Sequence, residues 1–474
     1  MVISLPSLSI RRTFCSFLML HLLLGPFQVI PGLLGQGSGS LPDELRSLYQ
    51  EVSEELMAQA LNSQVGYDRL ALMCDRFGPR FSGSPQLESA IDWALETLRK
   101  DGFDPVRGEA VEVPRWVRGQ ESLLMKGPRQ RECPMLGLGG SVGTPQEGIE
   151  AEVLVVSSFE ELEQRSQEAR GRIVLFNAPF TDYGTTVVFR TRGAIEAAKV
   201  GAVASLIRSV GPFSMQTPHT GMMTYETGVK RIPHAAITME DAIMMERMQA
   251  RGETIDLCLK MEAKTLEPTT SRNVVAEITG SHWPEQIILV SGHLDSWDVG
   301  QGAMDDGAGC LAMWEAARLI LQQGLRPKRT LRLVLWTNEE NGMAGVRTYQ
   351  RDHAGEMAQH VLAIESDAGT FEPEGFSFTG SEQAMPFLES IGSMLKPIGA
   401  SRLKWGAGVS DIMHLVADGV PVMGLDVDRT RYFWYHHTAA DTVDKVDKDS
   451  FNRCVAASAI MMWIVADMPQ RLPR

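Results

Sequence analysis

From about Asn273 onward the chain alternates short, unbroken apolar runs with longer stretches whose apolar residues recur at helical spacing. The runs 287–290, 331–335, 361–364 and 420–425 are the length of strands and lack polar alternation, as strands buried on both faces do. Interleaved with them, helices are predicted near 310–322, 345–351, 384–395 and 451–465. Such alternation specifies an α/β fold: a mixed, mostly parallel sheet sandwiched by helices. In sheets of this kind ligands gather at the carboxyl ends of the strands.

The earlier part of the chain reads differently. A polar, helix-forming segment at 41–64 is expected to be a propeptide or an N-terminal arm. The turn-rich stretch 77–84 leads into a helix carrying Leu87, Ile91, Ala94, Leu95 and Leu98 on one face, which Asp101-Gly102 stops. Near Met125 the texture changes. Strands are predicted at 153–156 and 173–176 around a charged helix at 160–170, then an Ala-rich helix at 193–203 and apolar segments at 205–207 and 232–237. The organisation is therefore a leader and cleavage region (1–40), the arm (41–64), a first part of the main domain (65–124), an inserted domain (125–266), and the second part of the main domain (267–474).

Composition narrows the function. The 474 residues are 44% hydrophobic, enough for a full core and more than one domain. A formal charge of −14 gives no basic footprint for a phosphate backbone, so nucleic acid is excluded as a general partner. Arg11 and Arg12 precede an apolar run at 14–24 that is too short to span a bilayer, and small and polar residues follow at 35–40. That is the pattern of a cleavable signal peptide, which places the mature chain in the secretory pathway, and no later stretch is long and apolar enough for a stable membrane anchor. Once Cys15 leaves with the leader, Cys74, Cys133, Cys258, Cys310 and Cys454 remain, too few and odd in number for a disulfide scaffold. Cys310, opening an apolar helix, is expected to be a buried thiol. No Asn heads a glycosylation sequon.

The chemistry lies at the ends of the predicted strands. His293 follows the run 287–290, with Asp295 two residues on, a spacing that suits a carboxylate holding the imidazole in one tautomer. Asp305 opens a Gly-rich turn into a helix and is assigned as a carboxylate shared by two metal ions. Glu339 and Glu340 end the next strand and point apart, so Glu340 can ligate while Glu339 serves as general base. Asp367 ends the strand after that, and His437 completes the set from a loop near the C-terminus. Histidines and carboxylates in this order suit two zinc ions that activate a water and polarise a carbonyl. Gly139-Gly140-Ser141-Val142-Gly143 formally matches a nucleophile elbow, but no strong strand precedes it and Thr144-Pro145 follows, so a loop is expected. His219, His234, His353, His360 and His414 lack partners at metal-ligand spacing and are expected to pack or face solvent.

With those residues in place the chain resembles the M28 zinc peptidase family. The stretch 291–307, Glu365-Ser366-Asp367-Ala368-Gly369 and Tyr435-His436-His437-Thr438 carry the resemblance. The related M20 peptidases place the bridging Asp much further beyond the first His than the twelve residues found here. The resemblance implies a zinc-dependent exopeptidase fold, with the inserted section like a protease-associated domain. It implies one zinc on His293 and Asp367, a second on Glu340 and His437, Asp305 bridging, and Glu339 as base. It also implies small peptide substrates, chiefly dipeptides with free termini, and a secreted or lysosomal homodimer made with a propeptide. Thr438-Ala439-Ala440-Asp441 keeps the Thr and Asp of the family's closing motif but has small residues between. The rival reading is a receptor-like binding protein on the same scaffold, which would carry no zinc. A serine hydrolase acting through Ser141 would ignore a chelator.

Overall fold

Eight strands form the sheet that carries the apolar runs. In spatial order they are Val106–Val117, Lys264–Ile278, Arg329–Trp336, Trp283–His293, His360–Glu365, Val422–Val427, Pro373–Thr379 and Arg402–Trp405. This computed structural model describes residues 41–474, and the expected signal peptide lies outside the described residues. The middle four strands are parallel, flanked by antiparallel pairings on either side. The parallel strands are buried on both faces, which is why they read as continuous apolar runs. Val274, Ile288, Val290 and Leu333 enter one core with the helices Ala308–Gln322 and Lys448–Asp467. Val275, Ile287, Leu289 and Val334 face the other, against Val346 and Tyr349 of the helix Ala344–Asp352 and Ile412 and Leu415.

Local rules set several boundaries. The helix Pro85–Asp101 is capped by Ser84, whose side chain accepts from the Leu87 amide, and ends at Gly102, which takes a φ of 97°. The last parallel strand starts at Val422 rather than 420, because Pro421 has no amide to give the ladder. The Ala-rich segment is only the end of a longer helix, Tyr183–Lys199, which stops before 203 as Gly201 turns the chain at φ 85°. The charged segment at 160–170 breaks into two short helices, Phe159–Gln164 and Ser166–Ala169. The polar helix Leu41–Asn62 buries Leu45, Tyr49, Leu56, Met57 and Ala60 in the main core, and Tyr49 donates to Asp467 at 2.9 Å.

A second sheet of eight strands is drawn wholly from the segment between Glu121 and Met261. Its centre, Ile149–Val156, Ile173–Phe176, Ala204–Arg208 and His234–Ile237, is parallel. Arg118 lies between the two sheets in sequence, and its guanidinium pairs with Asp298 at 2.6 Å and donates to the Thr220 hydroxyl at 3.3 Å. Among the described residues, the five cysteines are buried and free, Cys310 included, and no helix is long and apolar enough to cross a membrane.

Candidate metal centre

Three adjacent parallel strands bring their carboxyl ends to one edge, and the register levels what each carries. His293 is the last residue of its strand and pairs with Trp336, three residues before Glu339. Ser291 pairs with Glu365, so two residues further on His293 and Asp367 stand side by side. Asp305 arrives from the turn that precedes the helix Ala308–Gln322. His437 follows the short helix Tyr432–Tyr435 and holds φ 60°, a left-handed conformation uncommon for a residue with a side chain.

The other four side chains gather around Asp305. His293 Nε2 lies 3.3 Å from Asp305 Oδ1 and 3.3 Å from Asp367 Oδ1. His437 Nε2 lies 3.3 Å from Asp305 Oδ2 and 3.0 Å from Glu340 Oε2. His436, which the sequence reading passed over, stacks on His437 with ring centroids 3.5 Å apart and puts its Nε2 3.7 Å from Asp305 Oδ2. Its ligand atoms also meet those of Asp305 and His437 within 4.8 Å. Glu340 is nevertheless the nearer partner of His437 and, being an anion, the better match for a divalent ion.

Asp295 is placed differently from expectation. The Asp295 main-chain carbonyl, at 2.9 Å, accepts from His293 Nδ1, while its carboxylate stands 3.9 Å away. That carboxylate instead accepts from the amides of Glu339 (3.1 Å) and Glu340 (3.3 Å). Asp295 thus orients the imidazole through its backbone and the Glu-Glu turn through its side chain. A spacing of two residues is compatible with either arrangement.

Several residues that hold the site carried little signal in the sequence. Asp441 accepts from the amides of Ala303 (3.1 Å), Met304 (2.6 Å) and Asp305 (3.2 Å), fixing the turn that presents Asp305. Its place in the closing motif was the one available clue. Arg80, fully buried, donates to the carbonyls of Leu294, Gln301, Gly302 and Gly78 and so pins the loop between His293 and Asp305. Asp306 Oδ2 accepts from the His293 amide at 3.1 Å. Two glycines make room for that carboxylate: a Cβ at Gly292 would lie 2.5 Å from Asp306 Oδ2, and one at Gly309 would lie 2.1 Å from Oδ1. Gly309→Ala should therefore lower stability by about 1–3 kcal/mol through overpacking, read as a shift in the denaturant midpoint. From the second sheet's segment, Thr220 brackets His437: its amide donates to the His437 carbonyl at 2.9 Å, and its carbonyl accepts from Nδ1 at 3.3 Å. Ser141 is elsewhere, its hydroxyl oxygen accepting from the His234 main-chain amide with no imidazole nitrogen bonded to it.

Electrostatics follow from burying so many acids together. Burial, helped by the Asp367 and Asp305 carboxylates, raises Glu339 to about 7 against the pull of His293 and a hydrogen bond from Ser410. Burial and Asp305 raise Glu340 to about 8. For Asp305 burial is outweighed by His293 and His437, which hold it well below the usual carboxylate range. The cleft at the cluster has a volume of about 530 Å³ and is lined by Asp305, Glu339, Glu340 and Asp367 together with Tyr183, Arg190, His436, Met343 and Arg347.

Comparison with known proteins bears on this arrangement. The family model described as Peptidase family M28 matches residues 273–462, a span containing all five converging side chains. Carboxypeptidase Q of Homo sapiens is 53% identical over 409 residues, covering 86% of this chain and 86% of that protein. The crystal structure of a peptidase M28 precursor from Shewanella amazonensis SB2B is similar with a TM-score of 0.87 at 36% identity, over 90% of this chain and 99% of that one. A zinc aminopeptidase from Bacillus subtilis, 19% identical, shares the fold with a TM-score of 0.65 over 86% of this chain and 96% of its own.

Proposed function

This chain belongs to peptidase family M28, and from that membership we propose that it is a two-zinc exopeptidase cleaving small peptides, chiefly dipeptides with free termini. The observation that carries the reading is the convergence of His293, Asp305, Glu340, Asp367 and His437, from separate segments, with contacts of 3.0–3.3 Å around Asp305. The human relative's name supplies the carboxypeptidase side of the proposal. A signal peptide over residues 1–40 would deliver the enzyme to the secretory pathway, to be secreted or lysosomal.

Divalent cations fit the donor set. Three carboxylates face two imidazoles, an excess of negative charge once all are deprotonated, and Glu340 Oε1 is buried without a hydrogen-bond partner, so a cation would complete the set. Histidine nitrogens with carboxylate oxygens suit zinc. His293 and Asp367 would hold one ion, His437 and Glu340 the other, with Asp305 shared. When bound, such a pair supplies an activated water and polarises the scissile carbonyl. Glu339 does the proton work. One of its oxygens, Oε1, accepts from the Ser410 hydroxyl, leaving Oε2 to take the proton of the attacking water and deliver it to the leaving amine. A value near 7 matches that exchange. Asp295 steadies the backbone of the two glutamates by accepting from both their amides.

A dipeptide library assayed with and without chelator tests the proposal. Turnover should vanish on chelation and return with zinc, at two ions per chain by elemental analysis. Chelator-resistant turnover, or a purified protein that binds no zinc, would remove the reading.

The same cluster makes zinc binding a proton exchange. Burial would lower His437, but Glu340 and Asp305 raise it to about 10. Burial would likewise lower His293, but Asp305 and Asp367 raise it well above its usual value. His437 therefore carries a proton at neutral pH, as does Glu340 at about 8, and ligation must displace both. Zinc affinity should rise with pH through the neutral range, about tenfold per unit for each proton released. Calorimetry in buffers of different ionisation heat counts those protons; a count of zero would argue against imidazole ligands.

A further inference from the structure

Two histidines flank Tyr349 of the helix Ala344–Asp352 and are satisfied in opposite ways. His360, fully buried, accepts from the Tyr349 hydroxyl through Nε2 at 2.9 Å and donates from Nδ1 to the Glu356 carbonyl at 3.0 Å. A neutral imidazole meets both needs. His353, stacked on Tyr349 with ring centroids 4.2 Å apart, meets carboxylates on both sides. Its Nδ1 lies 3.1 Å from Glu356 Oε2 and its Nε2 lies 3.1 Å from Glu109 Oε2. Ionised carboxylates only accept, so both contacts are hydrogen bonds only when the ring carries two protons. The surrounding charges call for the same cation. Arg107 pairs with Glu109 and Glu277, and Arg332 pairs with Glu277 and Glu356, which sets three carboxylates against two guanidiniums. Protonated His353 is the third cation and balances the group. Its remaining charged neighbours on the helix, Arg351 and Asp352, are exposed and pair with each other.

We propose that His353 is an acid-strengthened latch, which in its protonated form ties the strand Val106–Val117 to the helix that follows the Glu339-Glu340 turn. That strand lies at an edge of the first sheet, and beyond it the chain enters the segment that builds the second. Its backbone is paired on one side only, with Lys264–Ile278. Glu109 reaches from this edge to His353, so the latch fastens a strand that the sheet holds from one side alone. The His353 and Glu109 side chains are 13% and 19% exposed, and water screens their attraction little. Burial would lower His353, but Glu109 and Glu356 outweigh it and raise the ring above its ordinary value. A histidine raised on folding contributes its stability in full below about pH 6.5, its unfolded value, and loses it as the pH climbs through the folded value. The fold is therefore held more firmly in mildly acidic surroundings. The latch needs neither zinc nor substrate, and so stands apart from the peptidase reading.

The test follows urea unfolding of the wild type, His353→Gln and His353→Lys from about pH 5.5 to about pH 9, at equal zinc content. The gap between the wild-type and His353→Gln midpoints should be widest at the acid end and close as the pH rises above about 6.5. His353→Lys keeps a cation throughout, so its gap to His353→Gln should stay open across the range. Amide exchange in the strand 106–117 should be faster in His353→Gln than in the wild type at the acid end and equal at the alkaline end. A gap that ignores pH or widens toward the alkaline end, or strand exchange indifferent to the substitution, would overturn the latch. Should the variants fail to fold, exchange of the His353 C2 proton in the wild type, followed by mass spectrometry, still decides. A ring whose midpoint lies above about pH 6.5 supports the latch, and one at or below it overturns the proposal.

Discussion

Glu339→Gln should lower kcat by about 10²–10⁴-fold while leaving the zinc content at the wild-type level, because glutamine keeps the shape of the side chain and removes only its ability to take a proton. The hydrogen bond with Ser410 can survive with the amide oxygen as acceptor, so the carboxamide keeps its place in the cleft. Two readouts are needed. If kcat falls and two ions remain, the proton-transfer role stands. If the variant loses metal, Glu339 is a ligand and the assignment of Glu340 must be revised. Wild-type turnover would remove Glu339 from the chemistry. Ser410→Ala should give a smaller effect, since it removes a hydrogen bond to Oε1 and leaves Oε2 untouched.

Asp305→Ala should reduce activity to background and lower zinc to one weakly held ion per chain or none. Asp305 is the residue that both halves of the cluster share: His293 contacts one of its oxygens and His437 the other. Its removal leaves two imidazoles, Asp367 and Glu340 without the anion between them. Asp367→Ala, by comparison, should weaken mainly the ion shared with His293. The comparison is made by elemental analysis after dialysis, with circular dichroism to establish that each variant is folded. Two tightly held ions in Asp305→Ala would refute the shared role.

What the chain announces in its own pattern follows from burial. Strands covered on both faces cannot alternate, so their apolar runs mark them directly. The carboxylates that follow such runs, Glu339, Glu340 and Asp367, stand out because charge comes immediately after core. Contacts made across long separations leave no such trace. Arg190 and Thr220 meet His437 from more than two hundred residues away, at 247 and 217 positions respectively, and no spacing rule connects them. The role of Asp295 was legible only as a position, since nothing in its residue type distinguishes a carbonyl contact from a carboxylate contact. The helix at Tyr183–Lys199 was half visible, because its alanines crowd the second half while Thr185, Thr186, Val187 and Val188, β-branched and poor helix formers, occupy the first.

The bracket that Thr220 places around His437 has a bearing on modularity. An imidazole held at φ 60° depends on an amide and a carbonyl supplied by chain that the neighbouring sheet builds. Excising that segment and sealing the gap would therefore not yield a smaller working peptidase. The trimmed protein would lose the support that orients the His437 ring, along with Arg190, and any shortening of this segment must first find another way to steady that ring.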